Sequence, residues 1–299
     1  MTAVLAPHTA PAAPEEQTPP ATRGRPPYLL LLPGLLWLAV FFLVPLITLV
    51  SMSLQTGSLS EGYRLTWTWS TYTSAWSTYG DQLVRSFLYA GSATVLALLI
   101  GYPLAYAIAL KAGRWRNLML VLVVAPFFTS FLIRTLAWKI VLGDQGWFVG
   151  ALQWVGLLGE NGRLLATPAA VVLGLTYNFL PFMVLPVYAS LEKLDPRLLE
   201  AATDLYATPA RAFWAVIWPL SIPGVVAGTL LTFIPAAGDY VNVQFLGNPA
   251  SQMIGNVIQS RFLTVLDYPV AAALSITVMT IVLVLVLTYV RRVGAKELL

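Results

Sequence analysis

The chain has 299 residues, of which 58% are hydrophobic and only 10% are charged. About a quarter of the residues of a soluble globular domain are charged, so this composition excludes a soluble domain and indicates an integral membrane protein. The chain has no Cys, which excludes disulfides, cysteine-ligated metals and thiol nucleophiles. Its one histidine, His8, lies in a Pro/Ala-rich stretch. No catalytic histidine, metal site or cofactor is therefore expected.

The first residues, 1–27, are rich in Pro, Ala and Thr and lack a compact apolar patch, which is typical of a disordered tail. The apolar run 28–54 is longer than a signal-peptide core and has no small-residue cleavage site, so we expect a retained first span. Five further stretches are apolar and reach the ~20 residues that a helix needs to cross the bilayer. They are 86–110, 118–142, 167–190, 216–238 and 270–290. The prediction is an all-α integral membrane protein with six transmembrane helices over 28–299.

Lys and Arg are distributed unevenly between the two sides of these spans. If both termini are inside, the outer segments carry only Arg64, Arg85, Arg163 and Arg261. The inner segments then carry Arg23, Arg25, Lys111, Arg114, Arg116, Lys193, Arg197, Arg211, Arg291, Arg292 and Lys296. Because cytoplasmic loops carry an excess of Lys and Arg, both termini are predicted to be cytoplasmic, in a plasma or inner membrane. The same bias accounts for the pI of about 9.3, so no nucleic-acid partner is inferred.

Two basic residues fall within the third predicted span. Arg134 lies deep in the span and Lys139 lies near its outer boundary. Long basic side chains can extend toward the headgroups, so both residues are assigned a structural role. Arg134 is expected to pair with an acid or to stack near Trp138.

A charged stretch, 190–219, separates the fourth and fifth spans on the predicted cytoplasmic side. Asp195-Pro196 and Thr208-Pro209 each have the form of a helix start. Asp or Thr can cap the free N–H groups, and Pro fits the first helical position without losing a donor. The stretch therefore predicts two short helices.

An apolar stripe accompanies the first of these two helices. Its members recur at spacings of three and four, which is typical of one helix face: Leu194, Leu198, Ala201 or Ala202, and Leu205. The two helices are predicted to join near Tyr206-Ala207. Two interpretations stay open on spacing alone, docking into the groove of a partner or lying among lipid headgroups.

The segment EAATDLYATPARAFWAVIWP, residues 200–219, resembles the cytoplasmic EAA loop of permeases from binding-protein-dependent ABC importers. The family pattern is Glu-Ala-Ala, three residues, Gly, nine residues, Ile, one residue, Leu-Pro. Glu200, Ala201, Ala202 and Pro219 match in register, and Val216 replaces the Ile.

The segment departs from the pattern at two positions, with Tyr206 where the family has Gly and Trp218 where it has Leu. A Tyr forced to positive φ costs about 1 to 2 kcal/mol. We therefore expect either a differently built turn or packing of the Tyr206 ring that offsets the strain.

The resemblance runs from about Tyr28 to the C-terminus. The segments PFFTSFLIRTLAWKIVLGDQG, LPFMVLPVYASLEKLDPRLLEAA, GDYVNVQFLGNP, MIGNVIQSRFL and DYPVAAALSI are similar to spermidine/putrescine-type permeases. This resemblance implies the transmembrane-domain fold of a type I ABC importer, with 190–219 as a coupling loop inserted into a cleft of a dimeric cytoplasmic ABC ATPase. It also implies an extracytoplasmic substrate-binding protein and a second permease subunit, either another copy or a related chain.

The coupling contacts implied by the resemblance are assigned to eight residues: Asp195, Leu198, Glu200, Ala201, Ala202, Leu205, Tyr206 and Pro219. The chain itself contains no P-loop pattern. The partner is therefore expected to hydrolyse ATP, and this chain is expected to be a non-catalytic transport subunit.

Acidic residues near the outer ends of the spans are candidates for transient contact with a cationic substrate. Asp239 follows Gly238 at the end of the fifth span, and Asp144 lies at the end of the third. Nearby aromatic faces could add cation–π contacts: Trp138, Tyr177, Phe182 and Tyr240. The alternative is that these acids cap helices or bridge to Arg.

The outer segment TWTWSTYTSAW carries four closely spaced rings, Trp67, Trp69, Tyr72 and Trp76. Such a group is typical of an interfacial aromatic belt. Docking of the binding protein is the second interpretation.

Other functions remain open at this stage. Related permeases move opines, aminophosphonates, thiamine or iron, so the substrate class is less determined than the transporter class. An ion-coupled secondary transporter would require repeat symmetry and buried ion ligands, and no inverted repeat is evident. An intramembrane enzyme is disfavoured because the chain has no Cys, no usable His and no paired acids within a span.

Overall fold

The computed structural model describes residues 28–159 and 162–294. The tail predicted for 1–27 lies outside the described residues. The chain divides into two compact units, Met1–Ile47 and Thr48–Leu299.

The first predicted span is helix α1, Leu31–Ser53. A π-helical turn at Ala39–Leu43 interrupts its regular pitch. This wider turn immediately precedes Pro45, which has no N–H to continue the α-helical hydrogen bonds. The helix is apolar over its whole length, as a membrane span requires.

A small β-hairpin follows α1 and is the one sheet among the described residues of a chain that is otherwise helical, as predicted. Strands β1, Gln55–Ser58, and β2, Gly62–Leu65, pair antiparallel, with Ser58 opposite Gly62. Gly57 and Gly62 both adopt positive φ, 133° and 78°, which a residue with a Cβ would resist. These glycines allow a polar connection to fold back on itself.

The remaining helices follow in chain order. They are α2 (Ser70–Tyr106), α3 (Arg116–Val124), α4 (Phe131–Val141), α5 (Trp147–Trp154), α6 (Pro168–Glu192), α7 (Pro196–Asp204), α8 (Pro209–Ala212), α9 (Trp218–Ala237), α10 (Val241–Leu246), α11 (Ile254–Ser260) and α12 (Tyr268–Tyr289). Short π or 3-10 turns extend or join several of them: Ala107–Lys111, Gly113–Trp115, Ala125–Phe128, Phe213–Ile217, Pro249–Ser251, Arg261–Val265 and Val290–Gly294.

By length and composition, five helices among the described residues could cross a membrane, or six if one bent pair is a single span. They correspond in order to the six predicted spans. The second helical stretch, Ser70–Lys111, begins well before the predicted 86–110. Its first turns carry polar residues and extend the helix beyond its apolar part.

The third predicted span is not one continuous helix. Gly113–Phe128 and Phe131–Val141 meet at an angle of 96°. Pro126 lies in the last turn before the break, and the backbone of Thr129 is extended, with φ −98° and ψ 151°. The Thr129 N–H donates to the Pro126 carbonyl at 3.1 Å, which closes the first half with a tight turn. The span predicted for 118–142 therefore consists of two helices joined at a sharp bend.

The core of the second unit forms where α2 and α9 pack against α6. Small buried residues at helical spacing let α2 approach closely: Ala90, Ala93, Ala97, Gly101 and Ala105. A Cβ at Gly224 of α9 would lie 2.6 Å from the Pro186 carbonyl oxygen of α6. A Cβ at Gly228 would lie 2.8 Å from Sδ of Met183. Close backbone approach thus fixes α6 and α9, the two helices that flank α7 and α8.

Candidate functional site

Two short helices, α7 and α8, connect α6 to α9 and begin where the sequence predicts. The Asp195 carboxylate accepts a hydrogen bond from the Arg197 N–H at 2.9 Å, and the Thr208 hydroxyl accepts one from the Arg211 N–H at 3.4 Å. Each cap stands directly before a Pro at the first helical position. The capping residues thus set both helix starts independently of tertiary contacts.

The joint between the two helices is built as a Schellman motif. The Ala207 N–H donates to the Ala202 carbonyl at 3.0 Å, and the Tyr206 N–H donates to the Thr203 carbonyl at 2.9 Å. Tyr206 occupies the left-handed position of this motif with φ 57°, where Gly is usual. The sequence left two alternatives for this position. The first, a differently built turn, was wrong.

The ring of Tyr206 does not pack against the described residues, so the second alternative, packing that offsets the strain, stays a prediction that requires a partner surface. Tyr206 is 95% exposed and the neighbouring Leu205 is 82% exposed. No contact within the described residues offsets the ~1–2 kcal/mol of left-handed strain. The two side chains project together from the tip of the helix pair.

The apolar stripe of α7 lines a groove of about 410 Å³ between α7 and the α8 region. Leu198, Ala201, Ala202 and Leu205 form one wall, and Arg211, Ala212, Ala215 and Val216 lie on the other. Glu200 is exposed, and Pro219 is half-buried in the first turn of α9. The groove is concave and mainly apolar, with Arg211 as the charged residue of its lining, a shape suited to receiving a partner.

A second groove, of about 610 Å³, lies between the end of α6 and the start of α9. Ser190, Lys193 and Asp195 give it a polar edge, and Leu220 and Pro223 give it an apolar wall. Sequence reasoning missed this groove because it depends on the close approach of two helices that are distant in sequence.

Asp239 lies just beyond α9 and is only 8% exposed. Its carboxylate accepts a hydrogen bond from the Asn242 N–H at 2.8 Å and so caps the first turn of α10. Burial raises the pKa of Asp239 to about 6, against the lowering effect of its hydrogen bonds with Asn242. The neighbouring Tyr240 is 42% exposed. The capping alternative is thus the geometry observed for Asp239.

Asp144 lies in an exposed ion pair. Its Oδ2 accepts from Nη2 of Arg163 at 2.6 Å and from Nε at 2.9 Å. Both side chains are largely solvent-accessible, so the pair contributes little to stability. The alternative of a bridge to Arg is the geometry observed for Asp144.

Two aromatic candidates come together across α4 and α6. The rings of Trp138 and Tyr177 meet edge to face with centroids 5.3 Å apart. Asn178, which follows Tyr177, donates a hydrogen bond of 2.9 Å to Oδ1 of Asn242 and one of 3.2 Å to the Thr135 hydroxyl. This buried polar cluster was missed, although an Asn within the apolar span 167–190 is a signal that could have indicated it.

Within residues 28–159 and 162–294, Arg134 neither pairs with an acid nor stacks near Trp138, contrary to expectation. Its guanidinium lies 4.9 Å from the ring centroid of Phe127 and 5.6 Å from that of Phe131. It is 9% exposed, and its Nε and Nη1 atoms have no hydrogen-bond partner within the described part of the chain. Phe127 lies before the break at Thr129 and Phe131 lies after it, so the guanidinium is placed over rings on both sides of the break.

The rings of the outer segment are mostly exposed. Trp67, Trp69 and Trp76 are 65%, 67% and 54% exposed, whereas the Tyr72 hydroxyl hydrogen-bonds the Ser53 hydroxyl at 2.6 Å. Tyr72 therefore anchors the start of α2 to the end of α1, and the three Trp rings remain available to lipid or to a partner.

The bundle, its broken third span and the paired short helices define a membrane-embedded permease of the ABC importer type. A solved structure with this architecture is that of a bacterial ABC transporter involved in the import of the acidic polysaccharide alginate, with a TM-score of 0.68 and 20% identity. The match covers 90% of this chain and 95% of that chain. A second structure of a bacterial alginate ABC transporter, in complex with a pentasaccharide-bound periplasmic protein, matches with a TM-score of 0.67.

The chain belongs to the family described as binding-protein-dependent transport system inner membrane component, which matches residues 26–296. It is 40% identical over 256 residues to the spermidine/putrescine transport system permease protein PotB of Haemophilus influenzae, covering 85% of this chain and 90% of that protein. It is 38% identical to PotB of Escherichia coli, covering 85% and 93%. The family resemblance read from residues 200–219 is thereby confirmed.

Proposed function

We propose that this chain is a permease subunit of an ATP-driven importer of polyamines, cations of the spermidine and putrescine type. The observation that carries the proposal is the identity of 38–40% over 256 residues to permeases named for those substrates. At 85% of the chain, this similarity extends well beyond the short helices and includes most of the spans. It therefore supports a shared substrate class as well as a shared fold.

In this function, the tip of α7 and α8 couples the spans to a dimeric cytoplasmic ATPase, which hydrolyses the ATP. The proposed contacts are Asp195, Leu198, Glu200, Ala201, Ala202, Leu205, Tyr206 and Pro219. The exposure of Leu205 and Tyr206 supports docking, because a partner surface would remove both side chains from water. Glu200 is exposed on the same helix and available for a charge-assisted contact.

The opposite side would receive a substrate-binding protein, and a second permease subunit, a copy or a related chain, would complete the path. Asp239, Tyr240, Trp138 and Tyr177 are the proposed path residues. Trp138 and Tyr177 already share one contact and present π surface to a protonated amine. Asp144 could contribute only after its ion pair with Arg163 opens.

The proposed orientation places both termini in the cytoplasm and the hairpin outside, with 28–299 as one transmembrane domain. The chain has no native Cys, so single-Cys variants can be labelled directly. Ser60→Cys, on the exposed hairpin turn, should react with an impermeant maleimide in intact cells, whereas Lys193→Cys should react only after permeabilisation. Labelling of Lys193→Cys in intact cells would reverse the orientation.

The transport proposal is tested by uptake of radiolabelled spermidine in host cells that lack this chain and carry it on a plasmid. Uptake should depend on the chain, and unlabelled putrescine should compete. Opines, aminophosphonates, thiamine and iron serve as alternative competitors. Uptake that is independent of the chain, or competition only by one of these other solutes, would overturn the polyamine assignment.

A further inference from the structure

A polar cavity of about 280 Å³ lies beside α10 and α11, in the segment between the fifth and sixth spans. Five carboxamide side chains and one hydroxyl line it: Gln244, Asn248, Gln252, Asn256, Gln259 and Ser260. No charged side chain of the described residues is part of its lining. In the proposed orientation it opens on the side that faces the binding protein.

Two of the amides are held rigidly and shape the cavity wall. Oδ1 of Asn248 accepts from the Ser251 N–H at 2.8 Å, while its Nδ2 donates to the Ala166 carbonyl at 2.6 Å. Nδ2 of Asn256 donates to the Tyr240 carbonyl at 2.9 Å, which ties α11 to the residue after Asp239. The cavity therefore adjoins the outer end of the fifth span.

The three glutamines differ from these asparagines. The side chains of Gln244, Gln252 and Gln259 make no hydrogen bond within the described residues, so all three carboxamide oxygens are available as acceptors. Several uncharged acceptors around one small cavity suit a protonated amine, since each N–H of an ammonium group needs an oxygen. No Lys, Arg or carboxylate among the described residues is part of the cavity lining. The neighbouring cation is Arg85, whose Nη1 donates to the Gln252 carbonyl at 3.1 Å, so its guanidinium is held by the main chain on the rim of the cavity.

We propose that Gln244, Gln252 and Gln259 form a transient reception site for one protonated amine arm of the substrate as it leaves the binding protein. The inference rests on the proposed polyamine function and deepens it. The cavity is smaller than a typical site for a whole drug-sized ligand, which suits one terminal amine rather than an entire polyamine. Weak neutral acceptors allow the cation to move on, as a transport path requires.

The test introduces a positive or a negative charge at one position of the cavity wall, Gln259. Gln259 is half-buried in the cavity wall, and Gln259→Lys should raise the KM for spermidine uptake about tenfold or more by repulsion. Gln259→Glu should lower the KM, and it should slow maximal uptake by retaining the cation. The matched pair Ser60→Lys and Ser60→Glu, on the exposed hairpin turn, should leave the KM unchanged. Immunoblots of membranes normalise uptake to the amount of each variant.

The possible outcomes distinguish failure of the glutamine site from failure of the proposed polyamine transport. Equal losses in the Lys and Glu variants of Gln259 would indicate a steric or protein-docking role and overturn the inference. An unchanged KM in both variants would overturn it as well, while wild-type spermidine uptake would leave the proposed function standing. Absence of spermidine uptake by the wild-type chain would overturn the proposed function and this inference together.

Discussion

Nδ2 of Asn178 on α6 donates a hydrogen bond of 2.9 Å to Oδ1 of Asn242 on α10. Both residues are buried, with exposures of 1% and 0%. The bond joins the fourth span to the segment that follows the fifth. Because Asn242 also receives its helix cap from Asp239, one polar connection positions the outer end of the proposed path.

Replacing one of Asn178 and Asn242 should lower the free energy of unfolding more than replacing both. Asn178→Leu removes the 2.9 Å donor of the buried Asn242 Oδ1 and leaves it only the 3.5 Å contact with the Thr135 hydroxyl, a loss of about 1 to 3 kcal/mol in the free energy of unfolding. The double variant Asn178→Leu/Asn242→Leu should recover part of that loss. Thermal unfolding of the four proteins of the cycle in detergent measures the coupling, and additive losses would show that the bond is energetically silent.

In the isolated chain, Tyr206 should lower the free energy of unfolding relative to a Gly at the same position. Tyr206→Gly removes the left-handed strain and should raise the free energy of unfolding by about 1 kcal/mol. Tyr206→Ala removes the same ring but keeps a Cβ at φ 57°, so it should gain much less. Equal stability of the Gly and Ala variants would show that the backbone at 206 is unstrained.

The groove beside α7 should not tolerate bulk if it receives the ATPase. Ala202→Trp would place an indole ring in the groove of about 410 Å³ and should block co-purification of the ATPase by steric overlap. Glu200→Ala should weaken docking by about 1 to 3 kcal/mol through loss of a charge-assisted hydrogen bond. Both variants should still insert into the membrane, since neither position lies in a span. Full ATPase retention in both variants would favour the headgroup interpretation of this helix.

Asp239 should make stability depend on pH in a predictable direction. Its pKa of about 6 in the folded chain exceeds the ordinary 3.8, so the folded state binds the proton more tightly than the unfolded chain does. The resulting stabilisation is complete below about pH 3.8 and is lost as the pH rises through about 6. Asp239→Asn keeps an acceptor for the Asn242 N–H without the buried charge.

The stability of the wild-type chain relative to Asp239→Asn should therefore fall from about pH 4 and level off just above pH 6. Thermal unfolding of the two proteins side by side in detergent measures this difference. Parallel pH profiles would show that the Asp239 carboxyl does not titrate in this range. Uptake by the same variant reports separately on cation contact, because the cap is retained.

The sequence alone determined the membrane class, the order of the spans and both helix starts at Asp195 and Thr208. These features are local: an apolar run of ~20 residues or a cap followed by Pro acts through its own backbone and its immediate surroundings. The family pattern in 200–219 likewise depends on the spacing of residues along one segment. That pattern also identified Tyr206 as a residue that stands where the family has Gly. It did not predict that Tyr206 would adopt the left-handed conformation of a Schellman motif.

Tertiary structure decided what depends on residues that are distant in sequence. Asp144 forms an ion pair with Arg163, and Asp239 accepts a hydrogen bond from the Asn242 N–H. No sequence pattern indicates either contact. Arg134 lies over rings on both sides of a 96° break, and a single proline does not specify that angle. Burial and hydrogen bonding are properties of the assembled helices, so the cluster at Asn178 and the glutamine cavity appear only when α6, α10 and α11 are packed together.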